Sequence, residues 1–223
     1  MYNNEDLYND YFVKEIARIT KKELKQKLEN HKKWLNNEEG GVLADFSYIN
    51  LEFEDLSNLD LSHANFEGAN LRWTNFQNTR LENAIFKKAF FLKANLRGVF
   101  ARNADFTEAN MERVNLIDSN LEKTIFKSAY LFYTKFTKSN LKNSDFENAN
   151  LKLASLYRTN IENSNFTNAI LTYTNFCFSK IKNTNFETNL LDAFMVFRIS
   201  NFSSFEKYML KIQDNVLAMK KER

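Results

Sequence analysis

Histidine, cysteine and acidic side chains are the groups with which this chain could bind a metal ion or perform acid-base catalysis. Either activity requires several such groups to meet at one point. The chain has only two histidines, His31 and His63; neither has a companion at a metal-binding spacing, and we expect the two to lie well apart. No Cys-x-x-Cys pair, nucleophile-elbow motif or glycine-rich phosphate loop is present. We therefore predict no catalytic residue, no metal site, no cofactor and no enzymatic activity.

Cysteine usage and the N-terminal sequence indicate the cellular compartment. The one cysteine, Cys177, cannot form an intrachain disulfide, which agrees with a reducing environment. The first residues lack the basic and apolar regions of a signal peptide, and no apolar run approaches the ~20 residues of a membrane span. These features predict a cytoplasmic protein that does not enter a membrane.

A five-residue repeat dominates the chain from Phe46 to Leu191. Thirty units follow one another without an insertion, and the central residue is Leu in fourteen of them and Phe in twelve. Two residues before the centre stands Ala, Ser or Thr in 24 of the 30 units. A period of five matches neither an α-helix nor an open strand. The repeat instead predicts a coil that turns a corner every five residues.

A longer period of twenty residues indicates how many corners complete one turn. Eight central positions at this spacing, from Phe46 to Phe186, are all Phe. Four units therefore form one square coil, and neighbouring coils should stack about 4.8 Å apart. Three outer columns at the same spacing are predicted to stabilise the stack. They are a column of alternating charge (Glu82, Arg102, Glu122, Lys142, Glu162, Lys182), a column that forms an amide ladder (Asn83, Asn103, Lys123, Asn143, Asn163, Asn183) and an aromatic and cationic column (Phe53, Trp73, Lys93, Arg113, Tyr133, Leu153, Tyr173).

Units such as Ala64-Asn65-Phe66-Glu67-Gly68 resemble the pentapeptide-repeat family, and the resemblance covers about two-thirds of the chain. It implies an all-β solenoid, a right-handed quadrilateral β-helix whose central residues point inward. About seven and a half coils are expected, with α-helical segments at both termini.

Both ends of the chain depart from the repeat, and we predict three segments. Residues 1–40 form an N-terminal helical cap, with one apolar stripe at Leu7, Tyr11, Phe12, Ile16 and Ile19 and a second helix that begins at the capping box Thr20-Lys21-Lys22-Glu23. Residues 41–193 form the β-helix, in which Glu54 and Asn189 at inward positions predict loose or hydrated terminal coils. Residues 194–223 form an amphipathic helix that either caps the rod or joins two subunits as a homodimer, through Phe205, Tyr208, Met209, Ile212 and Val216.

The family resemblance implies one specific function. Some members of this family, among them plasmid-borne quinolone-resistance proteins and a mycobacterial inhibitor, imitate duplex DNA and protect or inhibit DNA gyrase. Such mimicry needs an acidic rod, but residues 41–191 carry 17 basic and 16 acidic residues. Basic residues also alternate with acidic ones, which argues against binding nucleic acid. Gyrase or another topoisomerase is therefore kept as the alternative partner.

An apolar patch at outward positions of the middle coils favours a different function. Exposed apolar clusters often mark protein contacts. We therefore predict a non-enzymatic scaffold that binds an unidentified protein. Phe100 has two alternative positions, because it could also turn inward beside the small central residue Ala101. The predicted contact residues are Phe90, Leu92, Ile117, Tyr130, Phe132 and Tyr133.

Overall fold

The computed structural model describes residues 16–186, which form one helix followed by a stack of coils. Helix α1 spans Lys21–Leu35. Beyond it, parallel β-bridges join residues that are twenty apart, from Asp45↔Asn65 to Asn165↔Asn185. Each residue pair is an isolated bridge, so the described coils contain corners and bridges rather than long strands. The predicted twenty-residue coil is thereby confirmed.

Each coil has four sides, and each five-residue unit occupies one of them. We number the sides by their first central residues: Phe46 for side 1, Leu51 for side 2, Leu56 for side 3 and Leu61 for side 4. The same side returns every twenty residues, as the bridges Asn50↔Asn70 and Asp55↔Asn75 show for sides 2 and 3. A residue's side therefore follows directly from its number.

The corners are tight turns with a fixed backbone conformation. The backbone N–H of Ile49 donates to the carbonyl of Phe46 at 3.2 Å, and the same bond recurs at most corners. The second residue after each centre, from Tyr48 to Asn183, has φ between 53° and 70°. A positive φ at that position alone is typical of a type II turn, which favours Gly or Asn. This backbone requirement explains why Asn is frequent there, as at Asn83 and Asn103.

The core is built from stacked central residues. Along side 1 the Phe66 and Phe86 rings stack at 4.9 Å between centroids, and so do the Phe86 and Phe106 rings. Phe76, on side 3, contacts Phe66 edge-on at 5.8 Å. All these rings are buried. Burial of the central residues thus supplies a continuous apolar column along the rod.

Inward Ser and Thr residues are compatible with this core because their hydroxyls are satisfied. Thr74 Oγ1 donates to the carbonyl of Leu51 at 2.9 Å, and Ser139 Oγ donates to that of Leu116 at 2.6 Å. Asn and Asp before each centre act in a similar way on the outside. Asp55 Oδ1 accepts from the backbone N–H of Ser57 at 3.1 Å and from the Asn75 amide of the next coil at 3.0 Å. Both small polar positions therefore stabilise the coil itself.

Helix α1 begins as predicted, but the segment before it differs from the expectation. Thr20 and Glu23 form the reciprocal capping box. The apolar stripe that ends at Ile16 and Ile19 was expected to be helical, and this expectation is wrong for the described part. Instead the backbone N–H of Ile19 donates to Asn50 at 3.3 Å and Asn50 donates to Ala17 at 2.9 Å. An extended segment thus satisfies the edge of the first coil, which a helix could not do.

Glu54 corrects the prediction of a loose first coil. Its inward side chain is not hydrated, since the residue is only 4% exposed. Its carboxylate accepts a hydrogen bond from Lys21 Nζ and lies 4.0 Å from an Arg18 guanidinium nitrogen. Leu24 of the helix is buried and Leu28 packs against the core. The cap therefore closes the first coil and neutralises its buried charge.

Several predictions concern residues outside the described range. They include the boundary at residue 193, the inward Asn189, and the early stripe residues Leu7, Tyr11 and Phe12. The C-terminal helix over 194–223, with Phe205, Tyr208, Met209, Ile212 and Val216, also lies outside it. Among residues 16–186, no helix is long and apolar enough to cross a membrane.

Candidate functional site

The predicted contact residues fall on two sides of the rod. Phe90, Tyr130, Leu92 and Phe132 lie on side 2, where the bridges Phe90↔Asn110 and Asn110↔Tyr130 set the first two in one column. Leu92 and Phe132 likewise stand two coils apart. The coil between them is polar, since it carries Asn110 and the ion pair of Glu112 with Arg113 at 3.3 Å. Side 2 therefore has two separate apolar areas rather than one.

Ile117 and Phe100 lie elsewhere. Ile117 is half-buried on side 3, one side further round the coil than Tyr133. Phe100, on side 4, is 46% exposed, whereas Ala101 is fully buried. Phe100 therefore does not turn inward. The neighbouring inward residue, Val99, is also fully buried and is larger than the usual Ala, Ser or Thr.

Tyr130, Phe132 and Tyr133 form the larger apolar area, which we call the aromatic cluster. The rings of Tyr130 and Phe132 stack at 5.9 Å, and those of Phe132 and Tyr133 meet edge-on at 4.7 Å. Tyr133 is 45% exposed. Arg113, one coil earlier, lies over the Tyr133 ring at 5.9 Å. The cluster is thus a preformed aromatic surface held by backbone bonds between coils.

Tyr133 also belongs to the predicted aromatic and cationic column, and the structure confirms that this column stacks. Phe53 and Trp73 stack at 5.3 Å, and Lys93 lies 5.8 Å from the Trp73 ring. Every member occupies the left-handed position of a corner, with φ of 64° at Phe53 and 62° at Leu153. Bulky residues are strained there, by about 1–3 kcal/mol each. None of the seven is Asn or Gly, so side 2 presents its aromatic residues against a backbone preference.

The other outer columns behave as structural features. Asn103 Nδ2 donates to Asn83 Oδ1 at 3.1 Å, and Asn183 donates to Asn163 at the same distance. The amide ladder is thus confirmed in two parts, one on either side of Lys123. In the alternating-charge column, Arg102 and Glu122 form an ion pair at 3.9 Å.

The structure brings the two histidines to one junction, contrary to the expectation that they lie well apart. Trp34 stacks on His31 at 5.9 Å and meets His63 edge-on at 5.8 Å. His31 is buried, and burial lowers its pKa, an effect that the His63 charge adds to and the Asp60 charge opposes. No group of three or more His, Cys, Asp or Glu residues within 16–186 could hold a metal ion.

Cys177 lies at an outward position of side 3 but is only 9% exposed. Its backbone N–H donates to Oδ1 of Asn175, two residues earlier, at 2.9 Å. A position on the outside of the coil therefore did not predict an exposed thiol.

Ion pairs neutralise much of the acidic surface of the rod. Lys127 binds both Asp145 at 3.2 Å and Glu147 at 2.8 Å. These two carboxylates, Glu147 foremost, raise the pKa of Lys127. Other acids pair in the same way across neighbouring coils, namely Asp60 with Arg80, Asp105 with Lys87 and Asp118 with Arg97.

Comparison with solved structures finds pentapeptide repeat proteins. The fluoroquinolone-resistance protein QnrB1, plasmid-mediated, is 17% identical over 70% of this chain and 84% of its own, with a TM-score of 0.36. HetL, involved in heterocyst differentiation regulation in the cyanobacterium Nostoc, is 18% identical over 70% of this chain and 90% of its own, with a TM-score of 0.31. A pentapeptide repeat protein from the Arabidopsis thaliana thylakoid lumen is 26% identical over 54% of this chain and 66% of its own, with a TM-score of 0.32.

A search of curated proteins finds no match. The family model for pentapeptide repeats, by contrast, matches residues 43–78, 74–113, 109–148 and 149–187, with eight copies. This match spans well over half of the chain and coincides with the coils seen in the structure. The chain therefore belongs to the pentapeptide-repeat family, whose members are right-handed quadrilateral β-helices.

Proposed function

We propose that this protein is a non-enzymatic scaffold that binds a partner protein through the aromatic cluster on side 2. The observation that carries the proposal is the exposure of Tyr133 beside Phe132 and Tyr130, on an edge where aromatic residues occupy strained backbone positions. The coil does not require aromatic residues there, since Asn and Gly fit the same corner on other sides. Strain that is retained at an exposed site favours a functional role.

The chemistry of the cluster supports protein contact. Tyr and Phe are enriched in protein interfaces because they bury a large area with few rotatable bonds. The backbone beneath the cluster is held by the bonds Met111 N–H to Tyr130 O at 2.8 Å and Tyr133 N–H to Lys152 O at 3.2 Å. A partner would therefore meet a surface that is already ordered, which reduces the entropy lost on binding.

The gyrase alternative finds less support in the charges. Imitation of duplex DNA needs an acidic surface without counter-charges, whereas Asp105, Asp118 and Asp145 are each paired with a basic residue. The alternative is tested by a DNA supercoiling assay with purified gyrase, in the presence and absence of a quinolone. Protection of gyrase by the full-length chain would transfer the proposed function to this class.

Affinity capture from a lysate of the native host tests the scaffold proposal. The wild-type chain is compared with Phe132→Lys, Tyr133→Glu and with a control, Thr167→Lys, Asn168→Glu, which places the same charges at the same two corner positions of side 1. Circular dichroism is used to check that the three proteins are equally folded. We expect a partner that the wild type and the control retain and that the aromatic variant loses. Equal capture by all three, or no capture, would contradict the proposal.

A further inference from the structure

The charge of the rod is distributed unevenly along its axis. Residues 41–118 carry eleven acidic and eight basic residues, whereas residues 119–186 carry four acidic and nine basic ones. The coil then sorts these charges by side. All four acids of the second half lie on sides 1 and 4, namely Glu122, Asp145, Glu147 and Glu162. Charges that are intermixed along the sequence are therefore separated in space.

Sides 2 and 3 of the second half carry basic residues and no acid. We call Lys135, Lys138, Lys152 and Arg158 the basic surface; all four side chains are exposed. None forms an ion pair with another residue in the part of the chain that the structure describes. Asp118, one coil before Lys138, is paired with Arg97 at 3.0 Å. The basic surface thus keeps its positive charge available to a partner.

The basic surface adjoins the aromatic cluster. Lys152 stands one coil after Phe132 in the same column, and Lys135 follows Tyr133 by two residues, across the corner to side 3. Further along side 3, Arg158 lies 5.1 Å from the Tyr157 ring and 5.9 Å from the Phe178 ring. Cations and aromatic rings therefore alternate over two adjacent sides.

The arrangement of the rings favours a protein over a nucleic acid. Single-stranded nucleic acids bind through bases that stack on open ring faces. Here Tyr130 and Phe132 stack on each other, and Arg158 lies over both Tyr157 and Phe178. Ring faces that are occupied in this way offer less room for stacked bases, whereas the apolar carbon of aromatic rings suits aliphatic and aromatic side chains of a peptide.

We propose that the partner supplies an acidic segment with interspersed apolar side chains, which binds across sides 2 and 3 between residues 130 and 158. This inference rests on the proposed scaffold function and names the chemistry of its ligand. Carboxylates of the segment pair with the basic surface, and its apolar side chains cover the aromatic cluster. Electrostatic attraction of this kind accelerates association, and the affinity that it supplies falls as the salt concentration rises.

Two matched charge reversals test the proposal in the full chain. Lys138→Glu with Lys152→Glu alters the basic surface. Lys123→Glu with Lys182→Glu, on side 4, makes the same change of charge at equivalent corner positions. A phage-displayed random peptide library is selected on the wild-type chain. The affinity of the enriched peptides for all three proteins is then measured by fluorescence anisotropy at low and high salt.

We expect enriched peptides that are net acidic and contain apolar residues. Their affinity should fall about tenfold for Lys138→Glu, Lys152→Glu at low salt, less at high salt, and stay near wild type for the control. Absence of enrichment, neutral or basic peptides, or an equal loss in both variants would overturn the proposal. Tighter binding of an oligothymidylate strand than of the enriched peptides would indicate that the surface binds nucleic acid, and would also overturn the proposal. If the wild-type chain is a dimer and the Lys138→Glu, Lys152→Glu variant is a monomer, a second copy of this chain occupies the surface, and the proposal is likewise overturned.

Failure of this inference is distinguishable from failure of the proposed function. A lysate partner that depends on Phe132 and Tyr133 but not on Lys138 and Lys152 would leave the scaffold function standing and remove only the acidic segment. A partner that is insensitive to the aromatic variant would remove the scaffold proposal itself.

Discussion

His31 accepts a hydrogen bond at Nδ1 from the backbone N–H of Ala44, at 3.2 Å, where helix α1 meets the first coil. Nδ1 must therefore be unprotonated, and the neutral ring carries its hydrogen on Nε2. That Nε2 is buried and has no hydrogen-bond partner within residues 16–186. The junction between cap and rod thus depends on the neutral form of one histidine.

Acidification is expected to weaken this junction. Burial lowers the pKa of His31 in the folded protein below its unfolded value of about 6.5. Stability from the neutral ring is then fully present above the unfolded pKa and is lost as the pH falls below it. Hydrogen exchange of the Ala44 amide, followed between about pH 5 and 8, should show weaker protection at the acidic end after correction for the intrinsic exchange rate.

His31→Gln is the control for this prediction, because its side-chain oxygen can accept the same bond without titrating. Its protection should be nearly constant across the window. The carboxylates whose pKa is lowered, such as Asp45 and Asp55, titrate below this range and should not contribute. Identical pH profiles in wild type and variant would show that His31 does not control the junction.

The buried carboxylate of Glu54 predicts a non-additive pair of substitutions. Lys21→Met leaves Glu54 buried with only the more distant Arg18, which should destabilise the cap by about 1–2 kcal/mol. Adding Glu54→Ala removes the charge and restores the small residue of the repeat. The double variant should recover most of the loss in urea unfolding, and additive losses would contradict the pairing.

Val99 and Ala101 predict a second coupled pair, in the core. Both are fully buried at adjacent inward positions of side 4, with the large and small residues exchanged relative to the repeat. Ala101→Leu alone should overpack the coil and lower the free energy of unfolding by about 1–3 kcal/mol. Val99→Ala in the same chain should restore stability. Thermal unfolding of the single and double variants measures their stabilities. If Ala101→Leu alone is as stable as the wild type, Val99 and Ala101 have not exchanged volumes.

Leu153 offers a test of backbone strain. Its φ of 62° is unfavourable for a bulky side chain and suits Asn. Leu153→Asn should therefore stabilise the rod by about 1 kcal/mol, seen as a higher urea midpoint with an unchanged slope. Asn148→Leu, at the equivalent corner of side 1 with φ of 59°, should lower the midpoint. Opposite signs in the two variants are the expected result, and a loss of stability in both would refute strain at Leu153.

The two periods in the sequence determined the coil, its core and its family. Large apolar centres at a five-residue spacing, with Phe recurring every twenty residues, admit one arrangement in which all of them are buried. The amide ladder and the capping box at Thr20 were also predictable, because each depends on residues of known type at a fixed spacing.

Features that depend on neighbouring side chains could be decided only by the tertiary structure. The extended segment before α1, the burial of Glu54 and the meeting of both histidines at Trp34 arise where non-repeating residues pack on the first coil. Their positions depend on distances that no period contains. The basic surface lies between these two cases: the twenty-residue period already assigns its four cations to sides 2 and 3, but only the structure shows that they form no ion pair within residues 16–186.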